Sequence, residues 1–230
     1  MAATQILPYH RVYVWELPVR AFHWINALAI LLLLLTGLMI GSPQTLWMSQ
    51  EPSQQFWFGW VRFIHFASAY VFLFNILFRI YWGFVGNVYS RWDNYIPYKM
   101  EQLRNIWEVV TVDVFQVKLQ RKLFIGHNFM AGLSYFILLL ISLFQVATGF
   151  ALYTSMSDAY LPQLFSWVTP LFGGDAQVRQ WHHTAIWLFV IFTIVHLYLV
   201  AYHDVFEGRG TTSSIIGGWT FMKDDELKRK

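Results

Sequence analysis

Long apolar stretches, separated by shorter segments that carry the charges, dominate this sequence. The first runs from Ala21 to Ile40 and lies in a region without charge between Arg20 and Glu51. Its length matches the roughly 20 residues that an α-helix needs to cross a bilayer core. Three similar stretches follow, and the alternating segments of about ten residues that are typical of an outer-membrane barrel do not occur. We therefore predict an all-α integral membrane protein, a bundle of four spanning helices at about 21–40, 60–82, 128–153 and 180–203.

Composition supports a membrane protein and limits its chemistry. Of the 230 residues, 57% are apolar and only 13% are charged, whereas about 25% are charged in an ordinary soluble domain. These proportions exclude a disordered chain and argue against a water-soluble globule. Because the chain has no cysteine, disulfides and thiolate-bound zinc or iron–sulfur clusters are excluded, and any metal must be held by His, Met or carboxylate. We predict a single membrane domain over residues 1–230.

Lys and Arg are distributed unevenly among the segments that connect the predicted helices. The loops at 41–58 and 154–178 contain neither, whereas both ends of the chain and the 83–127 connection contain several. Cytoplasmic segments are enriched in Lys and Arg, so we predict that both termini and the 83–127 connection are cytoplasmic and that the other two loops face outward. The net charge of +3 is therefore an orientation signal and not evidence of nucleic-acid binding.

The long connection between the second and third helices has a pattern of its own. Apolar side chains recur there at helical spacing between charged residues, at Leu103, Ile106, Trp107, Val110, Val114 and Val117. This pattern is typical of an amphipathic helix on the membrane surface. A two-residue alternation over 109–117 fits a strand almost as well, so the pattern leaves both structures open.

Histidines are the most informative polar residues of the predicted spans. Of the eight in the chain, His23, His65, His182 and His196 lie within or at the edge of a span, where an ionisable side chain is costly and often functional. A single such histidine is equally well explained as a core residue bonded to a neighbouring carbonyl group. The spacing along the fourth span is more specific. His182 and His196 are 14 residues apart, so they face the same way, about 40° short of four full turns and about 21 Å apart in depth.

The directions of the helices match these histidines in depth. The first helix begins in the cytoplasm and the second and fourth begin outside, so we predict an outer pair, His65 with His182, and an inner pair, His23 with His196. Two imidazoles at one depth on facing helices, with no carboxylate or thiolate nearby, suit a six-coordinate haem iron. Zinc or non-haem iron usually requires further protein ligands. His183 lies about 140° from His196 in helical phase, so we expect it to be a packing or headgroup-level residue.

An arginine precedes three of these histidines by three residues, in the segments RAFH, RFIH and RQWH. Arg20, Arg62 and Arg179 would each lie on the face of the histidine, one turn nearer the membrane surface. Haem propionates prefer the aqueous edge of a membrane, and a guanidinium is a natural partner for a carboxylate. Snorkelling of an arginine at the end of a span explains the same pattern equally well without a haem. His196 has no such arginine, and His203 is the candidate for that role.

Small residues on the first and third helices allow two explanations. Gly37 lies 14 residues after His23, on the same face but at the outer level, where a missing side chain would let a porphyrin plane approach the helix. Gly37 and Gly41 also form a G-x-x-x-G pattern, and close packing between helices is the favoured explanation. Gly132 and Gly149 on the third helix allow the same two explanations.

Several long segments resemble the b-type cytochrome subunit of membrane-bound nickel–iron hydrogenases, over essentially the whole chain. They are VYVWELPVRAFHW, TGLMIGSP, FWFGWVRFIHFASAYVFLFNILFRIYWGFVGN, GHNFMAGLSYF, QVATGFALY and WHHTAIWLFVIFTIVHLYLVAYHDVFEGRG. The resemblance implies a four-helix membrane anchor that holds two haems b, with His23, His65, His182 and His196 as the iron ligands. More distantly, the sequence is similar to the cytochrome subunits of respiratory formate dehydrogenases.

The same resemblance implies the partners and the direction of electron flow. The small and large subunits of a nickel–iron hydrogenase on the outer face would oxidise dihydrogen, and electrons would pass by way of the outer and inner haems to menaquinone or ubiquinone. The chain would then be the electron-transfer and quinone-reducing subunit of an oxidoreductase complex in the bacterial cytoplasmic (inner) membrane. It would have no hydrogenase active site of its own.

Three other functions fit parts of the pattern. The cytochrome of a formate dehydrogenase or of another quinone-linked complex would differ only in its soluble partner. A transporter in which histidines relay protons would be expected to have acidic residues near the membrane midplane, and none of the four predicted spans contains Asp or Glu. A purely structural anchor would leave two depth-matched histidine pairs without a role.

Overall fold

The computed structural model describes residues 9–42, 56–96, 100, 104, 106, 107, 111, 129–207 and 210–223. Four long helices account for most of these residues: α1 (Leu17–Gly41), α2 (Trp57–Val85), α3 (Phe129–Tyr153) and α6 (Asp175–Glu207). Two short helices lie between α3 and α6, and a third precedes the second strand: α4 (Tyr160–Gln163), α5 (Val168–Leu171) and α7 (Thr211–Gly217). The strands are β1 (Tyr9–Tyr13) and β2 (Trp219–Lys223).

Each of the four long helices is long and apolar enough to cross a membrane. This confirms the prediction of an all-α integral membrane protein with four spans. The helices α1, α2 and α6 are longer than the apolar stretches from which they were predicted, because a helix continues past the bilayer core until local signals end it, whereas α3 agrees with its stretch to within one residue. At the start of α6 the signal is a pair of glycines, since Gly173 and Gly174 have φ angles of 84° and 119°. Asp175 then places a negative charge in the first turn of α6, where the helix dipole favours it.

A two-stranded antiparallel sheet, which the hydropathy pattern does not predict, joins β1 to β2. Tyr9 lies opposite Lys223 and Tyr13 opposite Trp219. Gly218, with a φ angle of 88°, turns the chain between α7 and β2. Its carbonyl accepts a hydrogen bond from the backbone N–H of Val14 at 2.9 Å. The two strands come from opposite ends of the described chain, and a local pattern carries no information about such a pairing.

The predicted surface helix between α2 and α3 falls mainly outside the described residues. Within that connection the described positions 100, 104, 106, 107 and 111 have helical backbone. The amphipathic helix therefore stays a prediction.

Contacts between residues divide the chain into two compact units. Unit 1 comprises Met1–Ala21, Ile80–Ile137 and Ile194–Lys230, and unit 2 comprises Phe22–Arg79 and Leu138–Thr193. In unit 2, buried Ala151, Val168 and Val178 form one cluster. Since these residues belong to α3, α5 and α6, the cluster holds the short helix α5 against two of the long helices.

A half-buried carboxylate links the start of α1 to the end of α2 within unit 1. Glu16 Oε2 accepts hydrogen bonds from Trp82 Nε1 at 3.1 Å and from the backbone N–H of Asn87 at 2.9 Å. Asn87 Nδ2 donates in turn to the carbonyl of Val14 at 2.9 Å. Val14 and Trp15 are buried and pack against Trp82. The carboxylate therefore connects the segment before α1 to the segment after α2.

Glu16→Ala is expected to destabilise the protein. The substitution leaves the N–H groups of Trp82 and Asn87 without their acceptor, at about 1–3 kcal/mol for each donor that stays unsatisfied. The measurement is the melting temperature of the purified protein in detergent, with Glu16→Gln, which keeps one acceptor oxygen, as the control. Equal melting temperatures for wild type and Glu16→Ala would show that this link contributes no stability.

Candidate functional site

A cavity of about 380 Å³ lies within unit 2, lined by residues of α1, α2, α3 and α6 and by Met156. This volume is in the range of about 300–1,000 Å³ that is usual for ligand and cofactor sites. Most of the lining is apolar, and no Asp or Glu is among the described residues that form it. The imidazole and guanidinium side chains of the lining are His65, His182, His183, Arg62 and Arg179.

The cavity brings together the predicted outer pair of histidines. His65 comes from α2 and His182 from α6, and both rings are held by a threonine of a neighbouring helix. Thr36 Oγ1 of α1 lies 2.9 Å from His65 Nδ1, and Thr148 Oγ1 of α3 lies 2.9 Å from His182 Nδ1. Because each Nδ1 is engaged in this way, Nε2 is the ring nitrogen of each histidine that is left for a ligand or metal.

A glycine next to each threonine makes room for the same imidazole ring. A Cβ atom added to Gly37 would lie 3.3 Å from His65 Cε1, and one added to Gly149 would lie 3.0 Å from His182 Cε1. Gly41 has a similar relation to His183, with Cε1 at 2.8 Å from an added Cβ. In the structure these glycines therefore allow α1 and α3 to approach histidine rings of neighbouring helices. This is compatible with close packing between helices, and the approach of a porphyrin to Gly37 stays a prediction.

Two guanidinium groups contribute positive charge to the cavity. Arg62 and Arg179 each lie one helical turn before a lining histidine, at the spacing seen in the sequence. Arg62 donates a hydrogen bond from Nη2 to Met156 Sδ at 2.7 Å. A thioether is a weak acceptor, so a carboxylate would be a far better partner for this guanidinium. The cavity thus combines three imidazoles, two guanidinium groups and apolar walls, a set that suits a planar apolar cofactor with acidic substituents.

The other predicted site residues lie elsewhere. Arg20 belongs to unit 1, where its guanidinium donates to the backbone carbonyl of Ile216. His196 and His203 also belong to unit 1, and the ring of His196 contacts Tyr135 edge-on with centroids 6.1 Å apart. His23 belongs to unit 2. The inner pair of His23 with His196 therefore stays a prediction, as do the roles of Arg20 and His203.

Two residues that line the cavity, Gly149 and His183, and two threonines that contact its histidines, Thr36 and Thr148, were not assigned to a cofactor site from the sequence. The sequence pattern indicated no role for Thr36 and Thr148 and allowed two explanations for Gly149. It predicted that His183 is a packing or headgroup-level residue. One signal was available, because the dipeptide Thr-Gly occurs near the C-terminal end of both the first and the third span, at 36–37 and 148–149. Neither span contains a histidine near its Thr-Gly dipeptide, so the sequence did not indicate that these dipeptides contact histidines of other helices.

Comparison with known proteins shows the family of the chain. The model of the family described as prokaryotic cytochrome b561 matches residues 14–218. A relative from Azotobacter vinelandii is 38% identical over 218 residues, which are 93% of this chain and 90% of the relative. One from Cupriavidus necator is also 38% identical, over 92% of this chain and 88% of the relative. Both are named probable Ni/Fe-hydrogenase B-type cytochrome subunits.

A relative from Escherichia coli extends the comparison to lower identity. It is 33% identical over 223 residues, which are 95% of this chain and 94% of the relative. Its name is probable Ni/Fe-hydrogenase 1 B-type cytochrome subunit. The similarity covers all four spans and therefore includes the cavity.

Proposed function

Because the chain belongs to the prokaryotic cytochrome b561 family, we propose that it is the haem-carrying membrane subunit of a nickel–iron hydrogenase, passing electrons from that partner to a membrane quinone. The observation that carries the proposal is the cavity of unit 2, where His65 and His182 present imidazoles from two helices. The names of the relatives support the hydrogenase partner. The quinone, menaquinone or ubiquinone, follows from the resemblance of the sequence to hydrogenase cytochromes.

The residues of the cavity fit a haem b. His65 and His182 would hold the haem iron through Nε2, since Thr36 and Thr148 engage Nδ1. A haem b supplies reversible one-electron transfer when it is bound. Arg62 would neutralise a propionate in place of its weak contact with Met156, and Arg179 is the candidate for a second. The apolar lining would keep water from the macrocycle, which helps to set the reduction potential.

A second haem b, held by His23 and His196, is part of the proposal. A single unbroken helix, α6, contains both His182 and His196. The helical phase calculated from their 14-residue spacing therefore applies to residues that are in fact helical. His23 lies in the second turn of α1, at the end that the distribution of Lys and Arg assigns to the cytoplasm.

The proposed orientation puts the cavity on the outer side of a bacterial cytoplasmic membrane. The connection between α3 and α6 has no Lys or Arg, so the positive-inside rule assigns it to the outer face. Residues close to this connection, including Met156 and Arg179, line the cavity. An electron donor bound at the outer face would thus be near His65 and His182, while both termini would be cytoplasmic.

The proposal predicts a reduced-minus-oxidised visible spectrum of b type for the purified membrane complex. We expect about two haems per chain, both reduced by dithionite and by hydrogen, because each proposed histidine pair would hold one haem iron. Extracted haem is counted against polypeptide. Haem reduced by dithionite but not by hydrogen would replace the hydrogenase by a formate dehydrogenase or another donor. A preparation of the intact complex without haem would contradict the proposal as a whole.

A further inference from the structure

Thr36 on α1 and Thr148 on α3 make the same contacts with two of the cavity histidines, His65 and His182. Each threonine is buried, with 7% and 0% of its surface exposed respectively. Each places Oγ1 at 2.9 Å from an imidazole Nδ1, and each is followed by a glycine against which the same ring packs. The arrangement is repeated on two helices that are distant in sequence, so a general feature of one helix does not explain it.

The hydrogen bonds of each hydroxyl define where its proton goes. Thr36 Oγ1 lies 2.5 Å from the carbonyl oxygen of Leu32, and Thr148 Oγ1 lies 2.8 Å from that of Phe144, each four residues earlier. A carbonyl oxygen only accepts, so the single hydroxyl proton points to the carbonyl. The hydroxyl oxygen is then the acceptor for the imidazole, and Nδ1 must carry a proton. In a neutral imidazole this leaves the lone pair on Nε2.

We propose that Thr36 and Thr148 are paired positioning residues, which set the tautomer and the ring orientation of His65 and His182 so that Nε2 of each is presented to a haem iron. The inference rests on the proposed function. A hydrogen bond from the second nitrogen of a ligating histidine fixes the ring and raises the basicity of the ligand. Gly37 and Gly149 add a limit to ring movement, because the backbones of α1 and α3 lie directly beside the two rings.

The alternative is that both hydroxyls serve only their own helices. Thr184 on α6 provides the matched control, because its Oγ1 donates to the carbonyl of Gln180, four residues earlier, at 2.8 Å, while its side chain is exposed. Thr184→Val removes the same intrahelical hydrogen bond as Thr36→Val or Thr148→Val. The hydrogen bond of Thr184 involves no cavity histidine, so a difference between the variants measures the effect of the bond between the threonine and the imidazole.

The experiment compares Thr36→Val, Thr148→Val, Thr148→Ser and Thr184→Val in the intact complex. For each we would measure haem per chain, the midpoint potential of the outer haem and the low-spin electron paramagnetic resonance signal. The two cavity valine variants should retain the outer haem about 10- to 100-fold less tightly, the usual effect of losing such a partner. Haem that is retained should have a higher midpoint potential, because a less basic imidazole stabilises the ferric state less. Thr148→Ser and Thr184→Val should resemble wild type.

The results distinguish a failure of the positioning role of the threonines from a failure of the proposed function. If the wild-type complex contains haem and the cavity valine variants match Thr184→Val in haem content, potential and resonance signal, the positioning role is wrong and the proposed function stands. If the wild-type complex contains no haem, both fail. A valine variant that expresses poorly is judged by the potential of the haem that it does retain, which a purely structural role of the threonine would not change.

Discussion

His65→Ala and His182→Ala are each expected to remove the outer haem, so that the haem content falls to about one per chain and hydrogen-dependent quinone reduction is lost. Each substitution deletes one of the two imidazoles proposed to hold the outer haem, and we expect no replacement by His183, whose ring packs against Gly41. His23→Ala and His196→Ala are expected to remove the inner haem instead. The measurements are extracted haem per polypeptide and quinone reduction by hydrogen in membranes.

The control for this prediction is His183→Ala, which should retain both haems. His183 also lines the cavity, so the comparison with the adjacent His182 tests which of two neighbouring imidazoles is the ligand. Retention of both haems in His182→Ala, with loss of the outer haem in His183→Ala, would show that His183 and not His182 holds that haem.

Gly149→Val is the second substitution with a large expected effect. A Cβ at this position would lie 3.0 Å from His182 Cε1, a distance tighter than almost all real contacts of a Cβ atom. The two methyl groups of valine would extend the clash, so either the ring of His182 moves or α3 and α6 separate. We expect loss of the outer haem and a lower melting temperature, both measured on the purified complex.

Gly59→Val is the matched control for Gly149→Val. Gly59 also lies in a spanning helix, but nothing is within 4 Å of an added Cβ there. The intrinsic effect of replacing glycine by valine in a helix is the same at both positions, so the difference between the two variants measures the clash alone. Full haem content in Gly149→Val would mean that the ring of His182 does not need the space that this glycine leaves.

Much of the architecture could be predicted from the sequence, because the residues of a single segment determine whether that segment is apolar and long enough to span a membrane. Four spans, their approximate positions and the family were predicted and are confirmed by the four long helices and by the match over residues 14–218. The bounds of the helices were less accurate, since glycines such as Gly173 and Gly174 end or begin a helix independently of where the apolar core stops. The number of haems, the inner pair and the orientation stay predictions.

The sequence by itself determined the properties that depend on neighbouring residues along one segment. These are the length and polarity of each span and the phase of two histidines on one helix, such as His182 and His196, because the geometry of an α-helix is fixed by its own backbone.

Only the tertiary structure decided which side chains of different helices meet. Thr36 meets His65 and Thr148 meets His182 because of how the helices are rotated against one another, and no local periodicity specifies that rotation. His183 illustrates the same limit, because its helical phase separated it from His196 while the packing of α1 brought it into the cavity wall. The positions of partners across the fold follow from side-chain packing, which only the folded chain defines.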